Sequence, residues 1–165
     1  MNTNLIQIIK DYSFLGSVIT FENLDSQFII KDSANQKDIE KCNEYFEFKL
    51  PEDYLKILTK ANGFILFKIE DFAGFKFLGC NELIKENRFQ KENYEEDWDN
   101  QIILFCQCLG DAEYLGLRVF DDKSYEILDC EIIELPSKWQ TIGTSIDDFI
   151  ESLLQKKGRK FWLVD

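Results

Sequence analysis

The sequence predicts a single α+β domain, in which several helices pack on one mostly antiparallel sheet. Three observations support this fold class. Apolar residues recur at helical spacing in the first third of the chain, short apolar runs dominate residues 64–135, and a helical pattern returns at 144–154. Helices that flank a run of strands are typical of α+β proteins. With 165 residues and 45% hydrophobic side chains, the chain can bury a sizeable core, so we expect one domain over residues 1–165.

The first elements are predicted from periodicity. Apolar side chains three or four residues apart predict one helix over residues 3–12 and a second between Asn35 and Phe48. The segment SQFIIK at 26–31 is predicted to form a short strand between them.

The third helix is predicted over LPEDYLKILTKANG, residues 50–63, because both ends carry boundary residues. Pro51 suits a first helical position, where its fixed φ is already helical and its missing N–H costs nothing. Gly63, preceded by Asn62, suits the left-handed residue that ends a helix. The residues that we assign to holding the fold, rather than to contacting a partner, are Leu50, Pro51, Tyr54, Asn62 and Gly63.

The sheet is predicted from six short runs that glycine or acidic turns separate. These strands are expected at 64–69, 74–79, 102–109, 114–120, 125–129 and 131–135. Residues 81–89 interrupt them as a short helix, and residues 90–100 are predicted to be a polar loop. A last helix at 144–154 has Thr144 or Ser145 as its cap, and FWLV at 161–164 is expected to add a strand or to pack as a tail.

The charge and cysteine content limit the partners and the compartment. The formal net charge is −12, and the chain has no histidine. Such acidity disfavours nucleic acid and anionic membranes as partners and favours a basic protein, although acidity also serves solubility. The N-terminal residues lack a signal-peptide pattern and no apolar run is long enough for a membrane helix, so we expect a cytoplasmic protein. An odd number of cysteines, five, fits buried thiols in a reducing compartment.

The residue types disfavour catalysis. Without histidine the chain lacks the commonest general base and metal ligand. Cys106 and Cys108 are predicted to share one strand face with Leu104, and they have no second cysteine pair to complete a zinc site. The glycines fit no phosphate-binding loop. We therefore expect no catalytic residues, no cofactor and no metal.

Residues 92–100, ENYEEDWDN, are the best candidate for partner binding. Carboxylates surround two aromatic rings in this segment: Glu92, Tyr94, Glu95, Glu96, Asp97, Trp98 and Asp99. An exposed ring within acidic residues would suit a basic protein, because the ring supplies contact area and the charges steer the encounter. Alternatively, Trp98 turns inward as an anchor of a solvated loop. A calcium site is a third possibility, but the segment lacks the ligand spacing of an EF-hand.

Predicted turns of the sheet carry four further candidate acids: Asp111, Glu113, Asp121 and Asp122. Asp favours turns through its side-chain hydrogen bonds, so a structural role is the default. If these turns shared an edge with residues 92–100, they would extend one acidic surface.

The sequence resembles the SUKH superfamily, which includes fungal cell-wall regulators and many bacterial immunity proteins. The segments that carry the resemblance are LPEDY with ANG at 50–63, FLGCNEL at 77–83, ILFCQCLGDAEYLGLRVF at 103–120 and IGTSIDDFIESLL at 142–154. Together they span roughly residues 35–155. Many relatives have a second glycine after Asn-Gly, where this chain has Phe64.

The resemblance implies a SUKH-like fold and a binding role without catalysis. Bacterial relatives are typically intracellular immunity proteins that bind a polymorphic toxin domain, often a nuclease. Together with the charge, this implies an immunity protein that neutralises a basic toxin domain. The alternative is a regulatory or scaffold protein of the cell-wall-regulator type, unrelated to toxins. A carboxylate-based enzyme is a third hypothesis, and it requires a cleft with a buried acid pair.

Overall fold

Helices occupy the first part and the end of the chain, and strands dominate its middle. The structure, a computed structural model, describes residues 3–47 and 49–163. Its helices are α1 (Thr3–Phe14), α2 (Gln36–Tyr45), α3 (Glu52–Leu58), α4 (Cys80–Tyr94) and α5 (Ile146–Gln155). Its strands are β1 (Val18–Ile19), β2 (Asp25–Ile30), β3 (Phe64–Ile69), β4 (Ala73–Phe77), β5 (Ile102–Leu109), β6 (Glu113–Val119), β7 (Tyr125–Glu131) and β8 (Gln140–Gly143). Short 3₁₀ helices cover Glu95–Asp97 and Pro136–Lys138.

The strands form one sheet in which every neighbour is also the next strand in the chain. The order is β1-β2-β3-β4-β5-β6-β7-β8, and each pair is antiparallel. Antiparallel neighbours can be joined by tight turns, as between β5 and β6, but here α2 and α3 lie between β2 and β3, and α4 lies between β4 and β5. The predicted α+β class with a mostly antiparallel sheet is confirmed.

Two apolar clusters lie on opposite faces of this sheet. The larger one joins the sheet to residues from all five helices, and its fully buried members include Tyr54, Phe77 and Phe105. The smaller cluster lies on the other face, under the C-terminal part of α4 and the loop before β8. Its buried members are Ile102, Leu104, Tyr114, Leu128, Cys130 and Trp139.

A β-bulge in β5 decides which face its side chains occupy. Leu104 pairs with Gly116, but Cys106 already pairs with Leu115, so β5 has one extra residue at Phe105. Since a one-residue shift moves side chains to the opposite face, Leu104 lies in the smaller cluster while Cys106 lies in the larger. The prediction that Leu104 shares a face with the two cysteines is therefore wrong.

Helix α4 packs beside β5 and completes the hydrogen bonding of its free edge. Strand β4 ends at Phe77, so the start of β5 has no strand neighbour on that side. The side chain of Asn87 takes that place: its Nδ2 donates to the Leu104 carbonyl at 2.8 Å, and its Oδ1 accepts from the Leu104 N–H at 2.8 Å. Buried peptide groups require such partners, so this contact fixes α4 against the sheet.

Several predicted elements differ from the structure. Residues 132–135 form a turn instead of a strand, and the strands β1 and β8 are not among the predicted ones. Residues 161–163 form a turn, with Phe161 and Trp162 packed on the larger cluster, whereas Val164 lies outside the described residues. Helix α2 ends at Tyr45, and Phe48, the predicted limit of its segment, also lies outside them.

Candidate protein-binding surface

The acidic segment 92–100 is mostly helical, so the predicted loop is wrong for its first part. Helix α4 continues to Tyr94, and a 3₁₀ helix follows over Glu95–Asp97. The α-helix stops there because the next residue, Glu95, has a φ of 49°, which breaks the α-helical path. Sequence periodicity missed this extension because the buried position directly after the predicted helix, Gln90, is polar. Glu92, at the outer side of the helix, is exposed.

The two aromatic rings of this segment turn toward the protein. Tyr94 and Trp98 are partly buried and meet Trp139, with ring centroids 5.5 Å and 6.3 Å from it. The Tyr94 hydroxyl donates to the Ile132 carbonyl at 2.8 Å, and Trp139 Nε1 donates to the Glu131 carbonyl at 2.9 Å. These three rings, the aromatic trio, hold the acidic 3₁₀ helix beside the loop that follows β7.

The 3₁₀ helix and that loop form one exposed surface. Its acidic part comprises Glu95, Glu96, Asp97 and Glu134, all exposed. Two apolar side chains accompany them: Ile133 is 84% exposed and Leu135 is 45% exposed. We call these six residues the acidic tip. Sequence reasoning missed its second half, because Glu131 to Leu135 alternates like a strand and nothing local relates it to residues 95–97.

Asp99 contacts residues outside the acidic tip. Its Oδ1 accepts from the Gln101 N–H at 2.9 Å, and its Oδ2 lies 3.5 Å from Arg118 Nε. The guanidinium of Arg118 also lies 3.9 Å from Glu126. Asp99 thus closes the turn into β5. Together with Glu126 of β7, it lies beside the guanidinium of Arg118 on β6.

The four acids of the predicted turns divide between opposite ends of β6. Asp121 and Asp122 follow β6, where Asp122 accepts hydrogen bonds from the Ser124 hydroxyl and N–H that lower its pKa. Asp111 precedes β6 and Glu113 is its first residue; both contact Lys160, with 2.8 Å between Lys160 Nζ and Asp111 Oδ2. The four therefore do not all share one edge with residues 92–100, but Asp111 and Glu113 flank Ala112, whose carbonyl accepts the Ile132 N–H at 3.0 Å beside the loop after β7.

Lys160 is the cation at the β5–β6 turn. Burial lowers the pKa of its ammonium group, but the hydrogen bonds that it donates to Asp111 and Glu113 outweigh burial and raise that pKa overall. Because two carboxylates share one ammonium group here, the β5–β6 turn keeps less uncompensated negative charge than the acidic tip beside it.

The helix motif at 50–63 lies in the interior. The fully buried hydroxyl of Tyr54 lies 2.7 Å from the Leu78 carbonyl and 3.1 Å from the Phe105 carbonyl, and burial raises its pKa. Leu50 is also buried. Pro51 stands one residue before the helix instead of at its first position, and its carbonyl accepts the Tyr54 N–H at 3.0 Å.

Asn62 and Gly63 join α3 to the start of α4. Asn62 Oδ1 accepts from the Cys80 N–H at 2.8 Å, at the first residue of α4. Gly63 does not end the helix, which stops at Leu58, but its φ of 92° turns the chain into β3. A Cβ on Gly63 would lie 2.9 Å from the Gly79 nitrogen, so the chain has no room for a side chain there.

Comparison with known proteins identifies the fold family. The model of the SMI1/KNR4 family (SUKH-1) matches residues 33–152. The chain belongs to the SMI1/KNR4 family. No curated protein matches the chain. The match includes the 50–63 motif and the whole acidic tip, whereas α1, β1 and residues 156–163 lie outside it. Membership of this family supports a role as a protein-interaction module with protein partners.

Cysteine, aspartate and glutamate side chains are the potential metal ligands of this histidine-free SUKH-1 chain. Among residues 3–47 and 49–163, no group of three or more Cys, Asp or Glu side chains is arranged to hold a metal ion. In the same residues, no helix is long and apolar enough to cross a membrane. Cys106 and Cys108 are buried, and burial raises the pKa of Cys108 to about 12, so its thiol stays protonated at neutral pH.

Asp129 is the one Asp or Glu of the described residues that is buried. Burial raises its pKa, and Trp162 Nε1 donates to its Oδ2 at 2.9 Å. Its other oxygen has no hydrogen-bond partner within the described part of the chain. No other Asp or Glu residue of the described part of the chain is buried as a whole.

Proposed function

We propose that this SMI1/KNR4-family protein is an intracellular immunity protein that binds a basic toxin domain and blocks it by direct contact. It works without a cofactor and without catalysis. Family membership supports the protein-interaction role, and the resemblance to bacterial immunity proteins supports the toxin as partner. The net charge of −12 supports a basic partner, because opposite charge accelerates encounter and selects against acidic competitors.

The acidic tip is the observation that carries this proposal. Glu95, Glu96, Asp97 and Glu134 are exposed, and none of them has an ion-pair partner within 4.0 Å among residues 3–47 and 49–163. Unpaired surface carboxylates attract a cationic protein at a distance without first breaking an internal salt bridge. The aromatic trio holds them in place, so little ordering is required when a partner binds.

The first experiment uses the product of any toxin gene adjacent to the gene for this protein. Both proteins are purified, and their association rate is measured by stopped-flow fluorescence at 10 mM and 100 mM salt. The Debye length falls from about 30 Å to about 10 Å over this range, so we expect association to slow markedly. A rate independent of salt would contradict electrostatic steering.

Charge reversal then locates the surface. We expect Glu95→Lys with Glu96→Lys to slow association at least tenfold at low salt. The matched control is Glu22→Lys with Glu151→Lys, which changes the net charge equally at two other exposed positions. Equal slowing by both pairs would assign the effect to net charge alone, and the acidic tip would lose its role.

The regulatory or scaffold protein is the second candidate, because the matched family model bears the names of SMI1 and KNR4. Rescue of cells that express the adjacent toxin gene separates the two functions. Rescue supports the immunity protein. A stable set of cellular partners in a pull-down, together with failure to rescue, supports the regulatory protein.

A further inference from the structure

The loop between β7 and β8 presents two apolar side chains to solvent within the acidic tip. Ile133 is 84% exposed and Leu135 is 45% exposed, and the exposed Glu134 stands between them. A single exposed aliphatic residue is ordinary on a protein surface. The arrangement at this loop differs because the apolar pair flanks an exposed carboxylate and lies on a loop that is held in a fixed conformation.

Hydrogen bonds on three sides fix the conformation of the loop. The Ile132 N–H donates to the Ala112 carbonyl at 3.0 Å, and the Glu134 N–H donates to the Glu131 carbonyl at 3.0 Å. The Tyr94 hydroxyl donates to the Ile132 carbonyl at 2.8 Å. Ile133 is therefore displayed by a backbone that is already ordered, which lowers the entropy cost of burying it in a partner.

The surrounding charge defines the partner. Tyr94 connects the loop directly to Glu95, Glu96 and Asp97, which follow it in the chain. An exposed apolar pair beside exposed carboxylates matches an apolar pocket flanked by lysine or arginine side chains. Nucleic acid does not fit, because its phosphates would be repelled and aliphatic side chains offer no ring for base stacking.

From these contacts we infer that Ile133 and Leu135 are the apolar anchors of the acidic tip, and that they insert into an apolar pocket of a basic protein. This inference rests on the proposed function in that it names the contact through which a basic partner is held. Apolar anchors that become fully buried carry most of the energy of an interface, and the charges around them set specificity and encounter rate. Loss of Ile133 is thus expected to act on dissociation, and loss of the carboxylates on association.

The test uses synthetic heptapeptides, so it does not depend on finding a toxin. The probe has two lysines at each end and a Leu-Trp-Leu centre. One control peptide replaces the centre by Gly-Ser-Gly, and the other replaces every lysine by glutamate. Each peptide is titrated into the full chain labelled with ¹⁵N, and amide shifts are followed by NMR. We expect saturable shifts centred on residues 131–135 and 94–98 with the lysine and Leu-Trp-Leu probe, and no saturation with either control.

Two matched variants give the decisive comparison. Ile133→Ser is expected to weaken the affinity for the lysine and Leu-Trp-Leu probe about tenfold, because less apolar area is buried on binding. Leu15→Ser is expected to leave the affinity unchanged, because Leu15 is 67% exposed but follows α1, far from the loop in the sheet order. Both variants remove an exposed side chain, so thermal melting should show both folded.

Three outcomes would overturn the inference. They are shifts centred on the groove of Phe21, Phe72 and Leu163, equal weakening by Leu15→Ser, and equal binding of the glutamate peptide. Failure to find a toxin leaves the peptide result intact. A toxin that binds equally well to wild type and Ile133→Ser contradicts the role of Ile133 as an anchor but not the proposed immunity function. The two failures are therefore distinguishable.

Discussion

Removal of one buried hydroxyl tests whether the 50–63 motif holds the fold. In Tyr54→Phe, the ring remains but the Leu78 carbonyl loses a donor at 2.7 Å. The hydroxyl has one proton and can donate to only one of the two carbonyls at a time. The Phe105 carbonyl still accepts the Leu78 N–H at 2.9 Å in the variant, so the net loss is one hydrogen bond. A buried carbonyl without a donor costs about 1–3 kcal/mol, and we expect a loss of about 2 kcal/mol in the free energy of unfolding.

The assay is urea unfolding followed by circular dichroism, with thermal melting as a second measure. For a chain of this size a loss of about 2 kcal/mol lowers Tm by about 4–8 °C. The control is Tyr12→Phe, since Tyr12 is 40% exposed, and we expect it to change stability by less than about 0.5 kcal/mol.

Two results would refute this reasoning. If Tyr54→Phe were as stable as Tyr12→Phe, the buried hydrogen bond would not support the fold. If Tyr54→Phe kept full stability but lost a protein partner, the motif would belong to the binding surface instead of the scaffold.

Three further predictions concern packing, pH and thiols. Gly79→Ala should lose about 1–3 kcal/mol in urea unfolding, because its Cβ would lie 2.4 Å from the Asn62 carbonyl oxygen, whereas in Gly143→Ala the nearest atom is 3.5 Å away. Asp129→Asn should raise Tm at pH 7, because burial raises the Asp129 pKa and its ionised form therefore destabilises the fold; the gain should shrink as pH falls through that raised pKa and wild type becomes protonated. A gain that is the same at pH 7 and at pH 4 would contradict this cause. All five thiols are buried, so they should react with a thiol reagent in urea but only slowly in the native protein, and rapid native reaction of any thiol would contradict its burial.

The sequence predicted those elements whose signal is local. The sheet strands from β3 to β7 are apolar runs with turn residues between them, and α5 begins after the cap Ser145, whose Oγ accepts the Asp148 N–H at 3.2 Å. The confirmed fold class follows from these elements and their order. The predicted start near Pro51 was off by one residue, since Pro51 is the N-cap of α3, whereas Gly63 lies beyond the helix end at Leu58 and serves the connection to β3.

Errors arose where a side chain has a distant partner. Asn87 occupies a buried helix position because it binds the open edge of β5, and the next buried position, Gln90, is also polar, so the apolar period of α4 gives no signal beyond the predicted end at residue 89. Leu104 faces away from Cys106 because of an extra residue at Phe105, and only the pairing with β6 shows it.

The sequence alone determined that this is an acidic, histidine-free α+β chain of the SUKH type with an aromatic, acidic segment at 92–100. Only the tertiary structure decided that Tyr94 and Trp98 turn inward and that Ile133 joins the acidic residues at the surface. The physical reason is that local patterns record how each segment folds, whereas a surface is assembled by contacts such as Tyr94 with Ile132, 38 positions apart in the chain.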